Sequence, residues 1–135
     1  MSAAKAFTTL EYGTRATYDY LVPFSSWRLR MYPDPQVLND LVRRVVEVAQ
    51  PQRIILFGSA VRGDMRPDSD IDILVVVPDG TPRRQTAQTI YRNLIGLRAA
   101  VDVVVATESD LHQYGDNFSL VYYPALREGR AIYAA

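Results

Sequence analysis

The chain has 135 residues and a mass of 15.2 kDa, which fits one domain with or without a tail and excludes two independent cores. It has no cysteine and a single histidine, His112, so disulfides, iron–sulfur clusters and thiol catalysis are excluded and a zinc enzyme would lack its ligands. Fifteen basic residues balance fifteen acidic ones, so the overall field gives no reason to expect non-specific binding to nucleic acid or to an anionic membrane.

Residues 1–32 are rich in Ser, Thr, Tyr and Ala, include Gly13 and Pro23, and keep neither a helical nor a strand period. They read as an N-terminal extension, with one domain over 33–135. After Pro33, the residues Val37, Leu38, Leu41, Val42, Val45, Val46 and Ala49 recur at i, i+3, i+4 spacing. That spacing predicts an amphipathic helix ending near Pro51. Ile54 to Phe57 and Ile71 to Val77 are apolar runs stopped by Gly58 and by Pro78-Asp79-Gly80, and both read as buried strands. Thr81-Pro82 starts a second helix, from about Arg83 to Arg98, with Ala87, Ile90, Tyr91, Leu94 and Leu97 on its inner face. Val101 to Val105 makes a third strand, Thr107 to His112 a capped helical turn, and Phe118 to Glu128 a last helix closed by Gly129. Ala131 to Tyr133 is a terminal extended piece. No apolar run approaches a membrane span and no signal-peptide pattern is present, so a cytoplasmic protein is expected.

The chemistry concentrates in residues 57–72. Gly58-Ser59 stands where a strand ends and a helical turn begins, so unpaired backbone N–H groups and a hydroxyl point at one place, a place that binds phosphate. Asp70 and Asp72 open the next strand one residue apart, and strand alternation puts both carboxylates on one face. Hard oxygen ligands that do not close a cage suit Mg²⁺ shared with substrate phosphates. Asp102 is a charge inside the otherwise apolar Val101–Val105 and needs a reason there, either a metal or an exposed strand end. A right-handed crossover through the second helix makes the second and third strands parallel, which puts all three aspartates on one sheet edge. Gly58-Ser59 joins that edge only if the first strand runs antiparallel to the second, so a mixed sheet is expected. Asp68, Asp70 and Asp72 also match the start of an EF-hand loop, but Ile73 takes the place of its obligatory glycine.

Gly58-Ser59, the ten residues 60–69, Asp70-Ile71-Asp72 and the downstream Asp102 together resemble the polymerase β-like nucleotidyltransferase superfamily. More narrowly, Gly58-Ser59-Ala60-Val61-Arg62-Gly63 with Ser69-Asp70-Ile71-Asp72 in so short a chain looks like the minimal nucleotidyltransferase (MNT) proteins, over about Tyr32 to Tyr133. The resemblance implies an α/β fold, a small mixed β-sheet flanked by helices. It implies transfer of AMP from ATP to a hydroxyl, with pyrophosphate leaving. Two Mg²⁺ ions would sit on Asp70 and Asp72, one of them also on Asp102, which would help to deprotonate the incoming hydroxyl. Gly58, Ser59 and Arg62 would hold the triphosphate. By the same analogy the chain is the antitoxin of a two-gene module, modifying a tyrosine of a HEPN-domain RNase toxin; no direct DNA binding and no membrane partner are expected. Nucleotidylation of a small-molecule hydroxyl, or an antitoxin that blocks its partner by occupancy alone, are the competing readings.

Overall fold

In the computed structural model, which describes residues 31–114 and 122–135, Asp34 opens the first helix, α1 (Pro35–Ala49), by accepting from the Gln36 N–H at 2.9 Å. Pro35 occupies a first-turn position where its missing N–H costs nothing. The helix stops at Gln50, which turns left-handed (φ 44°) and donates its N–H back to Val46 O, just before Pro51. Its inner stripe, Leu38, Leu41 and Val45, is fully buried, each such side chain contributing on the order of 1.5–3 kcal/mol.

Among the described residues four strands follow in one sheet: β1 (Arg53–Phe57), β2 (Ile71–Val77), β3 (Val101–Thr107) and β4 (Arg130–Ala134), in spatial order β3-β2-β1-β4. β1 is antiparallel to both β2 and β4, while β2 and β3 run parallel, joined through the second long helix. The expected mixed sheet is therefore present. β-alternation sorts its residues onto two faces. Ile71, Ile73, Val75, Val103 and Val105 pack with α1, and Leu74, Val76, Ile55, Phe57 and Ala106 pack on the opposite side.

Between β1 and β2 a single helical turn, α2 (Ser59–Arg62), ends at Gly63. Met31 and Tyr32, the last two residues of the expected extension, meet that turn. Met31 N–H donates to Gly63 O at 2.7 Å, and Met31 O accepts from the Met65 N–H at 3.3 Å. A Cβ on Gly63 would lie 2.6 Å from the Tyr32 ring. Residues 1–30 lie outside the described residues.

The crossover helix α3 (Arg83–Asn93) is shorter than its pattern predicts. Its end and the turn after it are held by α1, Arg44 Nη1 donating to Asn93 O at 3.2 Å and to Ile95 O at 2.8 Å, while Asn93 Nδ2 returns a bond to Arg44 O at 2.8 Å. Ile90 is fully buried and Leu94 nearly so, but Tyr91, expected on the inner face, is 43% exposed. It turns instead toward the outer edge of β3.

A reciprocal cap starts α4 (Glu108–Tyr114): Thr107 N–H donates to Asp110 Oδ2 at 3.0 Å, and Asp110 N–H to Thr107 Oγ1 at 3.1 Å. The last helix is described over α5 (Tyr122–Glu128), and the part expected at Phe118 to Val121 lies outside the described residues. Leu111 of α4 and Ala125 of α5 cover the second face of the sheet. Among the described residues no helix is long and apolar enough to cross a membrane.

Candidate functional site

β1 ends at Phe57, whose register partner is Asp72, and Asp72 in turn pairs with Asp102 across the parallel β2–β3 ladder. Paired residues in adjacent strands project to the same side, so Asp72 and Asp102 are neighbours on the face that carries Phe57 and Leu74. Asp70, two residues before Asp72, stands exposed at the entrance to β2. The end of β1 thus meets the starts of β2 and β3, and brings Gly58-Ser59 to the edge that holds the three aspartates.

The contact between the two parts is tight. Gly58 has φ 72° and ψ −150°, a region open essentially to glycine alone. A Cβ at that position would overlap Asp72 Oδ2 and lie 3.3 Å from Asp72 Cγ. The chain therefore turns over the carboxylate itself, and α2 begins at once. Its first N–H groups have no acceptor within the helix, and the Ser59 hydroxyl has no hydrogen-bond partner among the described residues.

Electrostatics single out Asp72. Burial pushes its carboxyl above the ordinary value, the charges of Asp102 and then Asp70 push in the same direction, and Arg62 opposes them. Three acids and one guanidinium therefore share one field. Arg62 at the end of α2 pairs with Glu128 of α5 at 2.9 Å and with Asp64 at 3.4 Å. Burial works against its charge, but the two carboxylates outweigh that and hold the guanidinium above its usual value. Its position one turn beyond Ser59 is the expected one, but the ion pair with Glu128 was not legible in the sequence.

The sequence profile of the nucleotidyltransferase domain matches residues 36–128. The chain belongs to this nucleotidyltransferase domain family. No curated protein matches it, but solved structures share its fold. A protein assigned as a nucleotidyltransferase from Sulfolobus solfataricus superposes with a TM-score of 0.52 at 20% identity, over 73% of this chain and 78% of that one. A mutant of the toxin–antitoxin MntA-HpeT gives 0.51 at 21% identity, over 72% and 73% of the two chains. A toxin–antitoxin with AMP-PNP gives 0.52 at 23% identity, with the same coverage of 72% and 73%. The four-stranded mixed sheet with helices on both faces is the polymerase β-like nucleotidyltransferase fold, as the resemblance implied.

The donor set of this nucleotidyltransferase suits a divalent cation. All three acids supply hard oxygen, and the burial and then the repulsion that raise Asp72 are what a bound cation offsets. Their carboxylates are not drawn into a closed cluster: among the described residues no group of three His, Cys, Asp or Glu side chains is gathered as a metal-holding set. One neighbour of the site lies outside the motif. The Tyr91 hydroxyl lies 3.4 Å from Asp102 Oδ1 and accepts from the Val103 N–H at 2.8 Å. Its apolar-periodic position assigned it to the core, and no sequence signal distinguishes a tyrosine that passes the sheet edge from one that packs beneath it.

Proposed function

We propose that this nucleotidyltransferase transfers AMP from ATP to a hydroxyl of a partner protein, a tyrosine of a helical HEPN-type RNase toxin, and acts in the cytoplasm as that toxin's antitoxin. The observation that carries the reading is the juxtaposition at one sheet edge of the Gly58-Ser59 turn with Asp72, itself paired with Asp102. That closeness supports a triphosphate held at the turn while the carboxylates act on the same substrate. The solved toxin–antitoxin with AMP-PNP supports a partner protein and an adenine nucleotide.

In this reading the Ser59 hydroxyl and the amides of the turn hold the β- and γ-phosphates, and Arg62 exchanges Asp64 and Glu128 for phosphate oxygens as the triphosphate enters. Asp70, Asp72 and Asp102 would hold Mg²⁺, two ions in all, which when bound supplies positive charge to the attacking and leaving oxygens of an in-line displacement. Asp102 accepts the proton of the incoming hydroxyl; the new bond forms from that oxygen to the α-phosphorus as the bond to pyrophosphate breaks. Incubating the protein with Mg²⁺, each α-labelled nucleoside triphosphate and the product of the neighbouring gene tests this. Label from ATP on a tyrosine of that protein is the expected result. Label on a small molecule, or none with any nucleotide, refutes it.

A further inference from the structure

Among the described residues β3 is an edge strand of the sheet, so alternate N–H groups along its outer side have no partner strand there. At Val103 that outward N–H is taken by the Tyr91 hydroxyl at 2.8 Å, a side chain that comes from α3 on one side of the sheet. The same hydroxyl lies 3.4 Å from Oδ1 of Asp102, whose register partner Asp72 faces the other side with Phe57 and Leu74. A phenol hydroxyl has one proton to give. With the Val103 N–H bound to the oxygen, that proton is left for the Asp102 carboxylate. Asp102 is exposed and repelled by Asp72 on its inner flank, so among the described residues a hydrogen-bond donor is what can fix the rotation of its carboxylate. Among the described residues Tyr91 is the hydrogen-bond donor it has.

We propose that Tyr91 is a positioning residue for this site: held by the Val103 amide, its hydroxyl fixes the Asp102 carboxylate through Oδ1 and leaves Oδ2 as the free oxygen. The inference rests on the reading of Asp102 as a site carboxylate. At 3.4 Å the contact is longer than the roughly 2.5–3.0 Å of a strong O–H···O bond, so its contribution is to direct the carboxylate. Tyrosine suits the task because only two side-chain torsions need to be ordered. Its ring also stays half in solvent, at 43% exposure, so water can take over the Val103 N–H when the hydroxyl is removed and the fold survives the change.

The test is a double-mutant cycle on the full-length chain, read by binding of Mn²⁺, a paramagnetic stand-in for Mg²⁺, in electron paramagnetic resonance titrations without nucleotide. Removing a group that orients a metal ligand typically weakens the metal by about 10–100-fold. Tyr91→Phe is therefore expected to weaken Mn²⁺ about tenfold with an almost unchanged thermal midpoint, and Asp102→Asn to weaken it at least as much. The double mutant should bind no more weakly than Asp102→Asn alone, because Tyr91 acts through Asp102. Wild-type Mn²⁺ affinity in Tyr91→Phe, with Asp102→Asn weakened, overturns the role of Tyr91 alone. Effects that multiply in full also overturn it, since Tyr91 would then act elsewhere. Unchanged affinity in Asp102→Asn while Asp72→Asn loses the metal overturns the assignment of Asp102, and the positioning role with it.

Discussion

Replacing Gly58 with alanine tests the join between the Gly58-Ser59 turn and the carboxylates. The residue sits at φ 72°, ψ −150°, where a side chain costs about 1–3 kcal/mol of backbone strain. The new methyl would overlap Asp72 Oδ2, and forcing that carboxylate off its rotamer adds about 0.5–1.5 kcal/mol. The stiffer unfolded chain gives back about 0.4–1 kcal/mol, leaving a net loss of roughly 1–4 kcal/mol against a total stability of about 5–15 kcal/mol. The variant therefore stays folded but melts several degrees lower. Its transfer rate falls further than its stability suggests, by about 100-fold, because a displacement of about 1 Å at a reacting group has that effect. Gly80→Ala is the control. Gly80 also has a positive φ, 90°, but nothing lies within 4 Å of the Cβ it would gain, so this variant bears backbone strain without touching a carboxylate. Urea unfolding and label transfer are measured on both proteins. Two variants equally destabilised and equally active would refute the argument that the missing Cβ of Gly58 makes room for Asp72.

Ser59→Ala and Arg62→Ala should each weaken nucleotide use by the roughly 1–3 kcal/mol of a lost hydrogen bond to a charged group; unchanged ATP affinity and rate in both would remove the phosphate role. Asp70→Asn combined with Asp72→Asn should leave the fold and partner binding intact while transfer falls by several orders of magnitude, beyond the roughly 10²–10³ of one lost electrostatic donor. Toxin protection by that double mutant would favour occupancy over catalysis. Asp110 gives a pH test: the Thr107 N–H first, then the Thr107 hydroxyl and Arg83, hold its carboxyl below the usual range against the effect of burial. A depressed folded value means that its stabilisation is present above the unfolded value near 3.9 and is lost as pH falls through the lower folded value. Urea unfolding of wild type and Asp110→Ala should therefore differ at pH 7 and converge as pH falls below the ordinary carboxylate range. Deleting residues 1–30 should preserve cooperative unfolding, whereas extending the deletion through Tyr32 should lower the midpoint by exposing Gly63 and its carbonyl; equal midpoints would refute the role of Met31 and Tyr32.

Local pattern determined most of the architecture. The apolar stripe of α1, the β-branched run of β2 and the stops at Gly58 and Pro78 are properties of adjacent residues, so the periods that name these elements need no partner to be read. The strand directions followed as well. Right-handed crossover requires β2 and β3 to be parallel, and the demand that Gly58-Ser59 share an edge with Asp70, Asp72 and Asp102 requires β1 to be antiparallel. Tertiary structure alone decided where long side chains end. Arg62 meets Glu128, 66 residues away; Arg44 binds the last carbonyl of α3, at Asn93; Tyr91 leaves the apolar stripe for the edge of β3. Each of these joins a flexible side chain to a backbone or carboxyl group brought near only by chain reversal. Sequence periodicity reports which side of an element is apolar, and it carries no information about which distant polar group lies within reach of a side chain's tip.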